Sequence, residues 1–335
     1  MAVIRLINIV IILVLTWSAW WYGAGVLLRH SIQGWFTAQQ ARGWQADYGD
    51  MRTSGYPLRH ITELSSPALA DPATGTAWQA DWLHLSSPAI WPGHQDLHFA
   101  NTPQRLSYFD QTAVVTAQDM MVRLHLHPGQ ALVLERMDLA AGPWHVETED
   151  GDLMEAGSLV LAMVQTAQPE TYQIDIDATG FTPSQGLLGR LNYNRNPPAS
   201  FETLTLDMNV RFDRVWDRKA LDERRPQPVR VDLDLAEVSW GALRLMAAGK
   251  VDVDARGIPT GELSVKAENW REILEIAVAA DAIPTSAVSP VEKLLTTLAS
   301  LGGNPKALDV KLTLRGGQIS FGPIPLGPAP RLFLR

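Results

Sequence analysis

The feature that constrains this chain most is an apolar segment at residues 6–28, which carries no charge between Arg5 and Arg29. As a helix rising about 1.5 Å per residue, the segment is long enough to cross a hydrocarbon core of roughly 30 Å. It offers no polar face, which a helix on the surface of a soluble protein would need. The sequence therefore predicts a transmembrane anchor at residues 6–28, preceded by a short cytoplasmic tail at residues 1–5.

Aromatic residues lie in the second half of this segment. Amphipathic rings favour the boundary between a membrane and water, so these residues are candidates for the membrane interface. The candidates are Trp17, Trp20, Trp21 and Tyr22.

Two fates of the segment are compatible with its residues. Small residues at 23–25 fit the cleavage rule of a secretory signal peptide, which would remove the segment from the mature protein. Retention is favoured because an apolar stripe at helical spacing continues beyond the segment. The stripe consists of Leu28, Ile32, Trp35 and Phe36. It predicts a juxtamembrane amphipathic helix over residues 29–45, continuous with the anchor.

The location of the remaining chain follows from its arrangement. The few basic residues on the two sides of the apolar segment give no orientation by the positive-inside rule. A short amino-terminal tail before the segment and a long β-rich chain after it are typical of an exported, anchored protein. We expect a single-pass protein of the inner membrane of a Gram-negative bacterium, with most of the chain in the periplasm.

Charge and cysteine content exclude several kinds of function. The formal net charge is −8, and no basic cluster offers the face that a nucleic-acid partner would need. Cysteine is absent, which excludes disulfides, thiolate metal sites and cysteine nucleophiles. We therefore expect no nucleic-acid partner.

From about residue 46 the hydrophobic period becomes two, which predicts β-strands. In LTLDMNVRF and VRVDLDL, apolar and polar residues alternate, as in strands with one buried face. The apolar residues that would form this face are Leu204, Leu206, Met208, Val210, Phe212, Val231, Leu233 and Leu235. If the sheet closes over them they form a core; if it stays partly open they line a groove of lipid size. Periodicity leaves both possibilities open.

Turn sequences at short intervals predict hairpins and therefore antiparallel neighbouring strands. These turns lie at residues 127–130, 167–170, 255–261 and 315–318.

Two helices are predicted near the carboxyl end, with Asn269 and Ser289 as their amino-terminal caps. They would cover part of the apolar face of the sheet. The predicted organisation is a first β-rich region at residues 46–212, a connector at 213–228 and a β-α-α-β region at 229–335. The predicted fold class is α+β and β-dominated, with long antiparallel amphipathic sheets that form a groove or a sandwich.

Few residues suggest chemistry. His125 and His127 lie two apart on a predicted strand and so share a face, which makes them weak candidates for metal ligation, because a zinc site needs further ligands. We favour the solvated polar face of a strand. The Asp-x-Asp pairs at 175/177, 232/234 and 252/254 lie where alternation requires a polar residue.

Motifs of familiar enzymes are missing from the sequence. The nucleophile elbow, phosphate loop, dinucleotide fingerprint and zinc-protease helix were not found. We therefore predict a protein that is not an enzyme, with no catalytic residue and no cofactor.

The sequences YGDMRTSGYPLRH at residues 48–60 and, near the carboxyl end, NWREILEIAVAA, LGGNP and GGQISFGPIPLGPAPRL resemble an uncharacterised bacterial envelope family. This family is the domain of unknown function 2125 (DUF2125), and the resemblance extends over nearly the whole chain. More loosely, an anchor followed by long amphipathic strands is similar to the AsmA-like envelope proteins. That similarity implies an apolar groove and a role in outer-membrane lipid traffic or assembly, and it is architectural.

Three hypotheses follow. The leading one is an anchored periplasmic protein that binds or transfers lipid, or assists envelope assembly, through an apolar β groove. The alternative is a scaffold that recruits other envelope proteins. The third is a hydrolase that acts on envelope glycan or lipid.

Overall fold

The structure is a computed structural model, and it describes most of the chain. The described residues are 2–72, 75–91, 93–108, 111–129, 131–149, 151–183, 201–222, 224–241, 243–279, 285–301 and 306–334. Contacts divide the chain into two compact units, which are described separately. Unit 1 comprises Met1–His125 and Glu147–Glu149, and unit 2 comprises Leu126–Val146 and Asp150–Arg335.

Unit 1 begins with one long helix, α1 (Ala2–Ala41). The helix joins the predicted anchor and the predicted juxtamembrane helix without interruption, but it ends before residue 45. Gly43 follows with a positive φ of 92°, a conformation that commonly ends helices.

Two antiparallel sheets follow in unit 1. The first has the order β1 (Gln45–Asp47), β4 (Ala68–Asp71), β5 (Thr76–Gln79), β8 (Gln104–Tyr108), β9 (Gln111–Ala117). The second has the order β2 (Met51–Ser54), β3 (Arg59–Ser65), β6 (Trp82–Pro88), β7 (His94–Phe99), β10 (Met121–Leu126).

The second half of α1 supplies part of the core of unit 1. Phe36 is buried together with Ala46 of β1 and Leu64 of β3. Apolar residues packed around this cluster are Ile32, Trp35, Tyr48, Met51, Leu69, Leu83 and Leu85. The apolar stripe at Ile32, Trp35 and Phe36 therefore faces the protein.

Unit 2 is built around a ten-stranded antiparallel sheet. Its order is β11 (Leu134–Ala141), β14 (Ser158–Gln165), β15 (Thr171–Pro183), β16 (Phe201–Phe212), β17 (Pro228–Trp240), β18 (Leu243–Val253), β19 (Pro259–Glu268), β20 (Ala307–Arg315), β21 (Gln318–Phe321), β22 (Ile324–Pro328). The strand β13 (Gly151–Ala156) pairs with the end of β15, and β12 (Trp144–Thr148) precedes it. The turns predicted at 167–170, 255–261 and 315–318 are confirmed as hairpins within this sheet.

Within the described residues, unit 2 contains three helices: α2 (Arg218–Asp222), α3 (Trp270–Ala279) and α4 (Thr285–Leu301). The helix α3 begins directly after Asn269, as predicted. The helix α4 begins four residues before Ser289, so the predicted cap is inside it, as is Pro290. A proline inside a helix removes one backbone hydrogen bond. Burial of Val291 stabilises α4 beyond this point.

The connector predicted at residues 213–228 does not separate the two compact units. It joins β16 to β17, which pair from Thr203↔Ser239 to Phe212↔Pro228, and all of it lies in unit 2. The connector is tied to the sheet because the Trp216 carbonyl accepts a 2.7 Å hydrogen bond from the Leu134 amide. The division falls near residue 125 instead. A charged, proline-bearing sequence can form the loop of a hairpin as well as a linker.

The β-dominated fold class is confirmed: long antiparallel sheets, a few helices and an amino-terminal apolar helix. Residues 184–200, between β15 and β16, lie outside the described part of the chain.

Candidate functional site

The first candidate site comprises the connection between β2 and β3 and the first two residues of β3, residues 55–60, which contact α1; we call it the helix clamp. The Trp17 indole N–H donates to the Pro57 carbonyl at 3.0 Å, and the Trp21 indole N–H donates to the Arg59 carbonyl at 2.9 Å. The hydroxyls of Ser18 and Tyr56 are 2.8 Å apart. These contacts, from Trp17 to Trp21, fix the clamp to about one turn of the helix.

Ring contacts strengthen the helix clamp. The Trp21 ring stacks on His60 with centroids 4.8 Å apart and meets Tyr56 edge-on at 5.5 Å. The His60 Nε2 atom lies 3.0 Å from the Trp21 carbonyl oxygen. Trp21 and His60 are only 6% and 4% exposed, so this aromatic pair is the buried centre of the clamp.

The backbone of the clamp requires glycine. Gly55 has a positive φ of 98°, and a Cβ atom there would come within 2.7 Å of the Arg59 carbonyl oxygen. The same turn is closed by a 3.0 Å hydrogen bond from the Arg59 amide to the Gly55 carbonyl. The Arg59 guanidinium pairs with Asp96 at 2.6 Å and donates to Ser86 at 2.8 Å.

The four candidate interface residues lie in different environments. Trp20 and Tyr22 are exposed, as an interface role requires, whereas Trp17 is half-buried and Trp21 is buried against His60. Composition could not distinguish the four, because the partners of Trp21 lie about 40 positions further along the chain. The sequence SGYPL at residues 54–58 contained the available signal for this contact: a glycine that permits the turn, followed by the large side chains of Tyr56 and Leu58.

The second candidate site is the apolar face of the unit 2 sheet. Cross-strand pairing places apolar residues side by side on successive strands, and two neighbouring rows form what we call the apolar trough. One row runs Met163, Ile174, Met208, Leu233; the other runs Leu161, Ile176, Leu206, Ala236, Ala247. All of these side chains are partly exposed except Met163, which is buried.

The rows run across the strands, and an aromatic cluster lies beside them at each end of the strands. At one end the Tyr172 ring is inaccessible and lies near Phe212, which in turn meets Trp216 edge-on. At the other end Trp240 is buried and stacks obliquely with Phe201. The apolar trough is therefore a partly exposed strip between two aromatic clusters.

The helices α3 and α4 cover the last strands of the same sheet. Their buried residues and those of the strands form one cluster: Ala267, Trp270, Leu274, Val291, Leu295, Ala299 and Leu308. Phe321 and Ile324 of β21 and β22 pack against it. This part of the apolar face is a closed core.

The predicted groove residues follow this division with one exception. Val210 and Phe212 are buried, and five others are partly exposed: Leu204, Leu206, Met208, Val231 and Leu233. Leu235 lies on the opposite face, because it pairs with Asp207 across a register shift that makes Asp234 an extra residue. Alternation in VRVDLDL gives no sign of this bulge.

The predicted histidine pair has two separate environments. His125 is the cross-strand neighbour of His94, and the two rings stack with centroids 4.4 Å apart. His127 lies beyond the end of β10, and its Nδ1 atom is 2.6 Å from Glu135 Oε1. Within the described ranges, no group of three or more metal-ligating side chains is placed to hold an ion.

The Asp-x-Asp pairs contribute to the polar face and its turns. Arg230 contacts Asp232 at 3.0 Å and Asp252 at 3.2 Å. Asp254 accepts backbone hydrogen bonds from Ile258 and Arg256 in the turn after β18, and the Ile258 bond is the main reason that its pKa is lowered.

The carboxylate of Asp207 on this face lies in an environment that disfavours its charged form. Burial raises the pKa of Asp207, and the nearby carboxylates of Asp175 and Asp234 raise it further. The Oδ1 atom of Asp207 is buried without a hydrogen-bond partner in the structure. Its position follows from the strand register, which sets Asp175 and Asp207 side by side.

Together the elements define a class: a β-dominated protein with one amino-terminal helix, Val3–Ala41, that is long and apolar enough to cross a membrane. Within this class, the chain belongs to a family of uncharacterized proteins conserved in bacteria, DUF2125, whose model matches residues 20–330. No curated protein matches the chain.

Proposed function

We propose that this protein is held in the inner membrane by α1, exposes its β-rich part to the periplasm, and binds an acyl chain of a lipid in the apolar trough. The proposal is non-catalytic: the protein would hold or transfer lipid, or assist envelope assembly. The observation that carries it is the run of partly exposed apolar side chains across five neighbouring strands.

Retention of α1 is supported by the helix clamp. The predicted cleavage position at residues 23–25 lies between Trp21, which is buried in the clamp, and the helix that supplies Phe36 to the core of unit 1. Cleavage there would remove Trp21 from His60 and expose a buried ring. Gly25 itself is buried and lies against His60, where a Cβ atom would be 3.5 Å from the imidazole.

Binding of an acyl chain is supported by the size and chemistry of the trough. Five strands about 4.8 Å apart give a strip of about 19 Å, close to the roughly 15 Å that acyl chains fill in one leaflet. Each methylene removed from water contributes about 0.8 kcal/mol, so a chain lying on the strip would be bound with substantial affinity.

Lipid analysis of the purified protein tests the proposal. The full chain is isolated from membranes in a mild detergent, and the lipids that remain bound are extracted and measured by mass spectrometry. Two neighbouring alanines of β18 provide matched variants: Ala247 pairs with Val265 on the trough face, and Ala248 pairs with Ser264 on the polar face.

We expect Ala247→Trp to fill the trough and reduce the bound lipid, and Ala248→Trp to leave it unchanged. Equal lipid content in both variants would exclude the trough as the binding site. A protein without lipid that is recovered with a reproducible protein partner would favour the scaffold alternative. Detection of an amino terminus after residue 25 in the mature protein would exclude retention of α1.

A further inference from the structure

Two adjacent loops of unit 1 expose large apolar side chains beside α1. One loop is part of the helix clamp, residues 55–58, and the other follows β6 at residues 89–91; we call them the paired loops. They are joined by a 2.9 Å hydrogen bond from the Ala89 amide to the Leu58 carbonyl. Their exposed fractions are Tyr56 47%, Leu58 74%, Ile90 70% and Trp91 42%.

This apolar surface is continuous with the exposed surface of α1. The Tyr56 ring lies nearly parallel to that of Tyr22, with centroids 6.3 Å apart. Tyr22 and Trp20 are both exposed on the helix, and so are Val26 and Leu27 one turn further on. The apolar side chains of the paired loops therefore lie beside the exposed apolar residues of α1 and enlarge that apolar surface.

The length of α1 requires the paired loops to lie near the membrane. Residues 6–16 precede the first contact with the clamp and rise only about 16 Å, about half of a 30 Å hydrocarbon core. About 20 residues are needed, which extends the span to Gly25. The clamp contacts α1 at Trp17, Ser18 and Trp21, all within that span.

Charge near the paired loops is compatible with a lipid environment. The neighbouring cation, Arg59, is neutralised by Asp96 at 2.6 Å. Large apolar and aromatic residues exposed together on a soluble surface are unfavourable, whereas Trp and Tyr are enriched at membrane interfaces.

We propose that the paired loops enter the lipid leaflet nearer to unit 1 and form a second membrane contact beside α1. Unit 1 is then held at the bilayer surface by three apolar segments, α1 and the two paired loops. These contacts restrict the orientation of unit 1 relative to the membrane. This inference rests on the proposed retention of α1 as an anchor.

Site-directed fluorescence tests the inference in a chain that contains no cysteine. Single cysteines replace Leu58, Ile90, Thr102 and Leu13, one per variant, and carry an environment-sensitive dye. The full chain is reconstituted in vesicles of phosphatidylethanolamine and phosphatidylglycerol, with nitroxide quenchers attached to the lipids at shallow or deep positions. Thr102 is the matched control, because it is exposed at the opposite end of β7.

We expect a blue shift and quenching by shallow nitroxides at positions 58 and 90, quenching by deep nitroxides at position 13, and neither effect at position 102. If position 13 is quenched while positions 58 and 90 report water, the inference is wrong and the anchor stands. If position 13 also reports water, the anchor fails as well. Protection of positions 58 and 90 only after a protein partner is added would assign the paired loops to that partner instead.

Discussion

The two units differ in how helices bury the apolar faces of their sheets. In unit 1, the second half of α1 packs against both sheets and buries Phe36 with Ala46 and Leu64. In unit 2, α3 and α4 pack on the last strands, and the apolar trough on the middle strands remains partly exposed. The apolar residues beneath α1 form a closed core, whereas the middle strands of unit 2 keep a partly exposed apolar strip.

The comparison also separates two uses of aromatic residues. In unit 1, Trp21 ties a helix to a loop through a buried stack and a hydrogen bond to Arg59. In unit 2, the aromatic clusters around Tyr172 and Trp240 lie on the two sides of the apolar strip. Substitutions in each unit can therefore be assigned different consequences.

The largest effect is expected for Trp21→Ala. Removal of a buried tryptophan costs about 3–5 kcal/mol, and here the hydrogen bond to Arg59 and the stack on His60 are lost as well. Hydrogen exchange of β2 and β3 in detergent should become faster, while exchange in unit 2 stays as in the native chain. The matched variant Trp20→Ala removes a side chain that is 58% exposed and should change little. Equal effects of the two substitutions would contradict the helix clamp.

A smaller effect is expected for Tyr172→Phe in unit 2. The Tyr172 hydroxyl donates to the Leu134 carbonyl at 2.9 Å from a fully buried position. Its loss leaves that carbonyl without this donor and should lower the free energy of unfolding by about 1–3 kcal/mol. Faster hydrogen exchange in β11 and β15 would report it. An unchanged exchange rate would mean that the aromatic cluster beside the trough does not depend on this bond.

The smallest effect, with the opposite sign, is expected for Asp207→Asn. The pKa of Asp207 is raised in the folded state, so its charged form destabilises the fold at neutral pH. The amide should therefore stabilise unit 2 by less than about 1 kcal/mol, since water screens a partly exposed carboxylate.

The pH dependence of this gain follows from the same shift. The gain should be present above the folded-state pKa of Asp207 and disappear as the pH falls below 3.8, where the carboxyl is protonated in both states. The control Asp138→Asn removes an ion pair with Arg136 and should give no gain. Urea unfolding at pH 7 and at pH 3 distinguishes these outcomes.

Much of the fold could be predicted because it depends on local periodicity. Strand alternation predicted β16 and β17, and turn residues predicted three of the hairpins. The helix after Asn269 was also predicted from its cap. These features depend on residues close together in the sequence, where side-chain direction and backbone preference are readable.

The remaining features depend on long-range register. The bulge at Asp234 reverses Leu235, although the sequence around it alternates without a break. The contact between Trp21 and His60 joins positions 39 apart. Such features require the partner strand or helix to be known.

The most direct test of the account locates the lipid on the protein. The full chain is reconstituted with a phospholipid that carries a photoreactive group on one acyl chain, irradiated, digested, and mapped by mass spectrometry. The account predicts adducts on β15, β16 and β17, at residues such as Ile176, Leu206 and Leu233, and their loss in Ala247→Trp. Adducts confined to α1 and the paired loops would show that lipid surrounds the anchor but does not occupy the trough.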